Sequence, residues 1–527
     1  MNMNVFKNIL RCLTATAVIF VSATSCLEKY PGDAILEKDA MITLSDAEQT
    51  LIGIYASFKS SALYSGYLTY LPDLQSDLVY AVDGFSNQHG DIWQWNIRTT
   101  NAEVESVYAA LYTIVGQCNF FLERVGGVRA SLVNDDEIDA LDSWTGEIYC
   151  ARALAYSELI KCFCKAYPLT DKAENPEAKG DDAKAEQELG VMLRDSYSKE
   201  ETAVRSTLKQ SWDFVLSDLE KAEKMINEED DAYNNIWLSR AAAHAIHARV
   251  ALYMGNWEDA IKYSTKVIEN ENASFRLADA NSTYTTDSQG NAVSYYQYLW
   301  DYDSSFEVIW KIGFTTTSYG GAIGRIFLNY TTDYRYFYPD YVPALWALNL
   351  YDNGDLRAPA FFSTQQTGYA HGLSWPLLMK YYGNRTFIAN ARIYHVNMPK
   401  VLRLSEQYLI RAEALCHQKN YSEAQNDLLT LRKARYSTGG NISLTEKNWL
   451  DQISNERVRE LYMEGFRLND LKRWGRGFER KPQSNSLEQG SSLKIEADDY
   501  RFVWPIPNHE IESPGTDLEQ NPGYVGL

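Results

Sequence analysis

The sequence predicts a mainly α-helical fold, a scaffold of paired helices interrupted by a loop-rich, partly β insertion. Three observations predict it. Apolar residues recur at helical spacing from about residue 44 to 225, and a helix–turn–helix pattern then occurs twice, around Ala248 and Ala412. Between those two copies the composition turns rich in Tyr, Thr, Gly and Asn. The chain has 527 residues, 45% hydrophobic and 23% charged, a balance that supports packed cores and argues against wholesale disorder.

The N-terminus reads as an address. Lys7 and Arg11 precede an apolar stretch, Leu13 to Val21, too short to span a bilayer. Ser22-Ala23-Thr24-Ser25 follow, then Cys26. The arrangement resembles a bacterial lipoprotein signal, with Ala23 where Leu is usual. Residues 1–25 are then expected to be removed, Cys26 to be acylated, and residues 26–43 to form a lipid-anchored tether. No later segment is apolar for long enough to cross a membrane.

Helical scaffold is expected over 44–272 and again over 396–480. Asp46–Lys59 carries Leu51, Ile54, Tyr55 and Phe58 on one face; Val104–Val125 repeats the pattern through Val107, Leu111, Ile114, Val115 and Phe121. Trp144–Tyr167 is a third helix, stopped by Pro168, and Thr202–Met225 a fourth. The charged, Ala/Gly-rich run Thr170–Glu188 between them reads as an exposed loop. In the repeat, Ala248, Trp257 and Ala260 share their spacing with Ala412, Tyr421 and Ala424. A small residue on a first helix, a turn, and an aromatic-x-x-Ala opening a second helix resemble the tetratricopeptide pattern, with Lys419 where Gly is usual. Residues 273–395 form the insertion, with strand-like pieces such as Glu307–Ile312, and loops that suit a binding site. Residues 481–527 are expected to close the fold in extended form.

Net charge is −20 and the pI about 4.9, which makes nucleic acid a poor partner. Aromatic residues are 13% of the chain, with 37 Tyr and 13 Trp, an excess that suits stacking on sugars and also fills helical cores. Apart from Cys26, the cysteines (Cys12, Cys118, Cys150, Cys162, Cys164, Cys416) have no metal or disulfide spacing and read mainly as small buried hydrophobes.

Two C-terminal blocks are specific. Asn455 to Gly475 contains Glu456-Arg457, Glu460-Leu461, Glu464-Gly465, Arg467, Asp470-Leu471 and Arg473-Trp474. Trp504-Pro505-Ile506-Pro507 with Glu510-Ile511 is followed by Gln520-Asn521-Pro522-Gly523-Tyr524. Gly146-Glu147 with Arg152-Ala153 and Tyr156, Arg403-Leu404 with Glu406, Tyr408-Leu409 and Ala412-Glu413-Ala414, and Asp355-x-Arg357 extend the pattern. Together they resemble the SusD/RagB family of outer-membrane nutrient-binding lipoproteins; only Glu512 to Glu519 departs from its usual terminal loop. The resemblance implies a SusD-like fold and a cell-surface lipoprotein in the outer membrane, held through its lipid anchor only. It further implies a role in polysaccharide utilisation: binding an oligosaccharide or related nutrient and delivering it to a SusC-like TonB-dependent transporter. No enzymatic activity and no cofactor are implied.

Sugar C–H faces pack on aromatic planes while hydroxyls need polar side chains at the rim. Trp93, Trp95, Asn96 and Arg98 supply both in one expected loop, and Trp93-x-x-Asn96 is similar to an aromatic-plus-Asn pair in the family's starch-binding member. Asp73, with Asp77, flanks that segment, although loop capping is the commoner role of such aspartates. Tyr296, Trp300 and Tyr319 are candidates for a second platform in the insertion; Trp310, among apolar neighbours, is expected to be buried. Glu456, Glu460 and Glu464 fall at i, i+4, i+8, and a buried ion network explains that stripe better than metal or acid–base chemistry, with Arg457, Arg467 and Asp470 available as counter-charges. His244 and His247 lack the glutamate of HExxH and read as core or interface residues rather than metal ligands. Asp352-Asn353-Gly354-Asp355 reads as a tight turn rather than a calcium loop. No catalytic or metal residue is assigned. Two other functions fit the composition: a surface glycoside hydrolase, which needs two carboxylates about 5 to 10 Å apart, and a protein-interaction scaffold or adhesin built on the helical repeats.

Overall fold

A computed structural model describes residues 40–83, 86–197, 202–369, 372–481 and 492–524. The chain divides into two units, Met1–Ile42 and Thr43–Leu527, and the second holds the helices and strands described below. Cys26, the signal segment and nearly all of the tether lie outside the described residues.

Among the described residues the scaffold and insertion are built on α1 Leu44–Ser57, α2 Tyr67–Gln75, α3 Ala102–Ser131, α4 Asp135–Phe163, α5 Leu208–Met225, α6 Arg240–Met254, α7 Trp257–Ile268, α8 Tyr295–Asp301, α9 Leu404–His417, α10 Tyr421–Lys433, α11 Trp449–Glu460 and α12 Arg467–Trp474. Their neighbours in space are mostly neighbours in sequence: α3 packs on α4, α4 on α5, α5 on α6, α6 on α7, and α9 on α10, with α7 joining α9 across the insertion. The termini follow local chemistry. Thr43 and Asp46 form a capping box on α1, as do Thr207 and Gln210 on α5, so α5 starts at Leu208 rather than at Thr202. α4 begins nine residues before the expected Trp144, because Asn134 caps it and Asp135, Asp136 and Glu137 favour the positive end of the helix dipole. Those first turns are largely exposed and lack the apolar stripe that the sequence reading follows. α4 packs closely on the end of α5: a Cβ at Gly146 would lie 2.9 Å from the Ile226 nitrogen. Arg152 of α4 ties the layer together, donating to both Asp218 carboxylate oxygens at 2.7 and 2.9 Å and to Asn119 Oδ1 at 2.7 Å.

The repeat forms two helical hairpins, α6–α7 and α9–α10. Ala248, Ala260, Ala412 and Ala424 are fully buried where the helices meet, and Ala248, Ala260, Trp257, Ile410 and Ala414 share one core cluster. Trp257 donates its indole N–H to Ala178 O at 2.6 Å and stacks on His417 at 3.7 Å. The turns match even where the residues do not: Gly255 has φ 67° and Lys419, one residue before Asn420 in the other copy, φ 59°. That left-handed conformation costs nothing for Gly and about 1 kcal/mol for Lys.

Among the described residues, ten short strands, all in antiparallel pairs, join the insertion to the scaffold and finish the fold. β1 (Val79–Ala81) pairs with β5 (Tyr341–Pro343), and β4 (Val308–Lys311) with β8 (Lys400–Arg403), so two insertion strands add to scaffold strands. β2 (Thr283–Thr286) with β3 (Ala292–Ser294), and β6 (Phe362–Gln366) with β7 (Ser374–Leu378), are hairpins inside the insertion. β9 (Phe478–Arg480) pairs with β10 (Leu493–Ile495). Beyond them the proline-fixed tail docks: Trp504 is buried with its N–H on Gln75 Oε1 at 2.8 Å, and Asn521 donates to Phe163 O and Trp504 O at 2.9 and 2.7 Å.

A buried ion cluster locks insertion to scaffold. Glu460 of α11 accepts from Arg435 at 2.9 and 3.0 Å, from Arg403 at 3.0 Å and from the insertion's Arg357 at 3.2 Å. Glu456 takes Arg357 at 2.8 Å and Arg432 at 2.6 Å, while Glu464 takes Arg403 at 2.8 Å and Lys380 at 2.6 Å. The insertion's Glu307 receives Arg403 at 2.6 Å and Arg435 at 2.8 Å. These guanidiniums hold the Glu456 carboxyl down at about 2, and that of Glu460 well below the carboxylate range, against the opposing pull of burial. The glutamate stripe is therefore an ion network, but with other partners than expected: Arg457 pairs with Asp470 at 2.7 Å, and Arg467 with Asp77 at 2.9 Å.

Candidate ligand-binding surfaces

The segment around Trp93 shows how local pattern decides exposure. Ile92, Trp93, Trp95, Ile97 and Thr99 are buried, whereas Asn96, Arg98 and Thr100 are exposed. Trp93 and Trp95 are each 0% exposed. Trp93 donates to Val79 O at 3.2 Å, under the Arg480 guanidinium at 4.6 Å; Trp95 donates to Gln75 O at 2.6 Å and packs on Phe478 and Phe502. Neither indole offers a face to a sugar in this structure, so the aromatic half of the expected pair is core. Asp73, also 0% exposed, accepts from Gly465 N and Arg467 N at 2.9 Å each and fixes the turn entering α12. Burial pushes its carboxyl up to about 7. Of that group Asn96 and Arg98 alone reach the surface, beside the tail, where Asn508 N donates to Thr99 O and Arg501 donates to Trp95 O.

Helix α8 separates the insertion candidates by phase. Tyr296, Leu299 and Trp300 face inward, and Tyr296 and Trp300 are 0% and 3% exposed. Their rings cover the ion cluster: Arg435 lies 4.1 Å over Tyr296, and Lys380 4.0 Å over Trp300. Like the two indoles above, they have no free face. The opposite side of the helix carries Tyr295 and Tyr298, with Tyr302 one turn on. From Tyr233 the rings run through Phe306, Tyr295, Tyr284 and Tyr298 to Tyr302, with successive centroids 4.5, 6.4, 4.9, 4.2 and 4.5 Å apart. Tyr233 and Tyr284 are exposed. Tyr319 stands exposed on a separate loop, held down where Gly321 N donates to Ser65 Oγ at 2.9 Å. Trp310 is buried, as expected.

A second exposed aromatic group was not anticipated. Tyr330 and Phe337 bridge antiparallel, and between them Thr331 N donates to Tyr336 O and Tyr334 N to Thr331 O, both at 2.9 Å. Thr331 Oγ1 and Arg335 N both donate to Asp333 Oδ1, at 2.5 and 3.1 Å, fixing the tip. Tyr334 at this tip is 78% exposed and has φ 56°. A bulky residue in that region is uncommon and strained by about 1 kcal/mol or more. Rings back one another here: Tyr334 lies against Tyr330 at 5.9 Å, Tyr330 stacks on Phe337 at 4.9 Å, and the exposed Tyr338 stacks on Tyr369 at 3.9 Å. Tyr394, also exposed, adjoins His395, which lies 5.5 Å from Tyr330. The scaffold loop after β1 is tied to the base of this group, since Asn87 donates to Asp340 Oδ1 at 3.0 Å and Tyr341 OH to Gln88 O at 2.6 Å. The sequence signal was the run Thr331-Thr332-Asp333-Tyr334-Arg335-Tyr336-Phe337-Tyr338, a turn former followed by four aromatics interrupted only by Arg335.

The His244–His247 pair and the Asp352–Asp355 segment are structural. His247 Nδ1 lies 2.7 Å from Glu223 and its ring stacks on Tyr263 at 3.5 Å; burial drives His244, 3.7 Å from the same carboxylate, down to about 4. Among the described residues no group of three or more His, Cys, Asp or Glu is placed to hold a metal ion. Asp355 accepts from the Arg357 backbone and guanidinium, and Asp352 accepts from Gly354 N, which makes that segment a turn. The five described cysteines are free and buried. No helix of the described residues is long and apolar enough to cross a membrane.

Comparison with known proteins agrees along the chain. A family model described as starch-binding and associating with the outer membrane matches residues 37–252, and the SusD family model matches residues 362–524. SusD-like protein P2 of Formosa agariphila is 25% identical over 549 residues, covering 96% of this chain and 98% of that protein. The starch-binding protein SusD of Bacteroides thetaiotaomicron is 30% identical over 158 residues, 30% of this chain and 27% of that one. The crystal structure of a SusD superfamily protein from Bacteroides thetaiotaomicron superposes with a TM-score of 0.74 at 24% identity, covering 91% of this chain and 100% of that one. The two family models take in both the Gly146–Tyr156 motif and the C-terminal blocks, and the chain belongs to the SusD family.

Proposed function

We propose that this protein captures a glycan on the tyrosine face around Tyr334 and Tyr338, holds it without cleaving it, and passes it to a SusC-like outer-membrane transporter. The observation that carries the reading is the exposed ring of Tyr334, kept at positive φ at the tip of a turn where Asp333 accepts from Thr331 Oγ1 and Arg335 N. Glycine or asparagine would sit there with less strain. A large ring retained at such a cost points to a surface partner, and backing by Tyr330 and Phe337 presets its plane. Sugar C–H groups would stack on Tyr334 and Tyr338, with Arg335, Asp83 and Gln88 at the rim for hydroxyls. The outward row on α8 supplies a second platform in place of Tyr296 and Trp300, and exposed Tyr319, Asn96 and Arg98 remain available to a long chain. Family membership supports the sugar, because the relative named above is called starch-binding. Acylation of Cys26 would keep the body at the membrane, each buried CH₂ contributing about 0.8 kcal/mol.

The test is calorimetric titration of the protein with plant and host polysaccharides, with Tyr334→Asn and Tyr298→Ala in parallel and the products analysed. The account expects one glycan class to bind, no shortened product, and at least about tenfold weaker binding in Tyr334→Asn, the loss of one stacked aromatic anchor. Released oligosaccharide would favour the hydrolase reading, and wild-type affinity in both variants would remove the tyrosine surfaces from the site.

A further inference from the structure

We propose a second ligand site, a cleft on the helical scaffold that binds a small organic cation. The cleft encloses about 530 Å³, within the range of small-molecule sites, and lies between α1, α4 and the chain leading from α5 to α6. It shares no lining residue with the tyrosine face. Trp144 and Trp237 are among its walls, and Trp237 is 41% exposed although it is one of the largest apolar side chains of the protein.

Its charge is one-sided. Glu48, Glu147 and Asp230 line it, and among the described residues no Lys or Arg does. Arg240, behind the Ile226 wall, is engaged with Ile226 O at 2.8 Å and Glu228 at 3.2 Å. Glu147 is 9% exposed and held by Tyr55, whose OH donates to its carboxyl and accepts from Leu238 N at 2.7 Å. The Trp237 ring stands edge-on to Tyr55 at 4.8 Å, so carboxyl and indole belong to one ordered wall. Two indoles and an acidic lining are the chemistry that recognises an ammonium group: the rings attract the cation through their faces, and the carboxylates supply the counter-charge. Burial, with Asp230 adding to it, pushes the Glu147 carboxyl up to about 8, so it is mostly protonated at neutral pH. A bound cation would favour its ionised form, and binding would then release a proton.

Choline is the probe, with 3,3-dimethylbutan-1-ol as its uncharged counterpart of the same shape. Titration calorimetry of the full chain at pH 7 is run in two buffers of different ionisation enthalpy. The expected result is millimolar or tighter choline binding and at least about tenfold weaker binding of the alcohol. The apparent enthalpy should differ between buffers in the wild type and coincide in Glu147→Gln. Trp237→Ala, at an exposed position, should weaken choline at least about tenfold while leaving the circular dichroism unchanged. Equal binding of both probes, absence of choline binding in the folded protein, or full choline affinity in Trp237→Ala would overturn the proposal.

Discussion

Replacing Glu460 by Gln tests what holds the insertion to the scaffold. The side chain is fully buried, and the change keeps its size while removing the charge that Arg357, Arg403 and Arg435 share. An amide oxygen can still accept from one guanidinium, but the amide nitrogen then points donors at another. Breaking a buried pair from one side costs about 3–5 kcal/mol, since the remaining charges stay desolvated and unmatched. Unfolding entropy of about 2.1 cal/mol/K per residue gives about 1 kcal/mol/K for a body of roughly 480 residues, so Tm should fall by about 3–5 °C. Scanning calorimetry at pH 7, with urea unfolding to check the cost, is the assay. Glycan affinity, measured below the transition, should stay within about twofold, because the cluster lies under Tyr296 and Trp300 rather than on the surface. A Tm within 1 °C of the wild type would refute the locking role. Unchanged stability with lost function would instead favour a chemical role for the glutamate stripe.

Three further outcomes follow from the same structure. Trp93→Ala, which empties a fully buried site beside Val79, should destabilise the fold by about 3–5 kcal/mol in urea unfolding, and a merely local loss of ligand binding would contradict its core assignment. Lys419→Gly should raise stability by about 0.5–1 kcal/mol, since it relieves a positive φ and gives up only an exposed ion pair with Glu177; a lower denaturation midpoint would count against that. The three buried imidazoles should lower stability as pH drops from about 6.5 to 4: burial brings His244, His395 and His417 down to about 4, so the unfolded chain takes up these protons first. Asp73 and Glu147, raised by burial to about 7 and 8, are protonated first in the folded chain and offset part of that loss. The lowered Glu413 and Glu456, both held at about 2 by their arginines, extend the loss in the same direction below pH 4.5. Imidazole NMR titrations of the folded protein with midpoints near 6.5 would contradict the burial of the three rings.

Much of the scaffold was legible because its helices bury one face each: Leu51 and Ile54, or Val107, Leu111 and Ile114, announce their packing by spacing alone. The repeat was legible through its small residues, Ala248 and Ala412, and the turn geometry held even at Lys419. The binding surface was less so. An aromatic ring is equally suited to a core and to a sugar face, and the richest clusters, Trp93-x-Trp95 and Tyr296 to Trp300, went inside. Two local signals pointed the other way. The alternation of Asn96, Arg98 and Thr100 with buried neighbours marked which side of that segment is wet, and the helical phase of α8 put Tyr295 and Tyr298 opposite Leu299. What no pattern could supply was the long-range charge pairing: Glu460 meets Arg357 and Arg403, far away in sequence, and not the neighbouring Arg457.

Glycan capture through Tyr334 is tested most directly by measuring affinity and stability together in Tyr334→Asn. Asn tolerates the left-handed conformation, so the variant should unfold at the same or a higher urea concentration while binding the captured glycan at least about tenfold more weakly. Loss of stability with unchanged affinity would contradict the account, since the ring would then be packing the loop and not meeting a sugar.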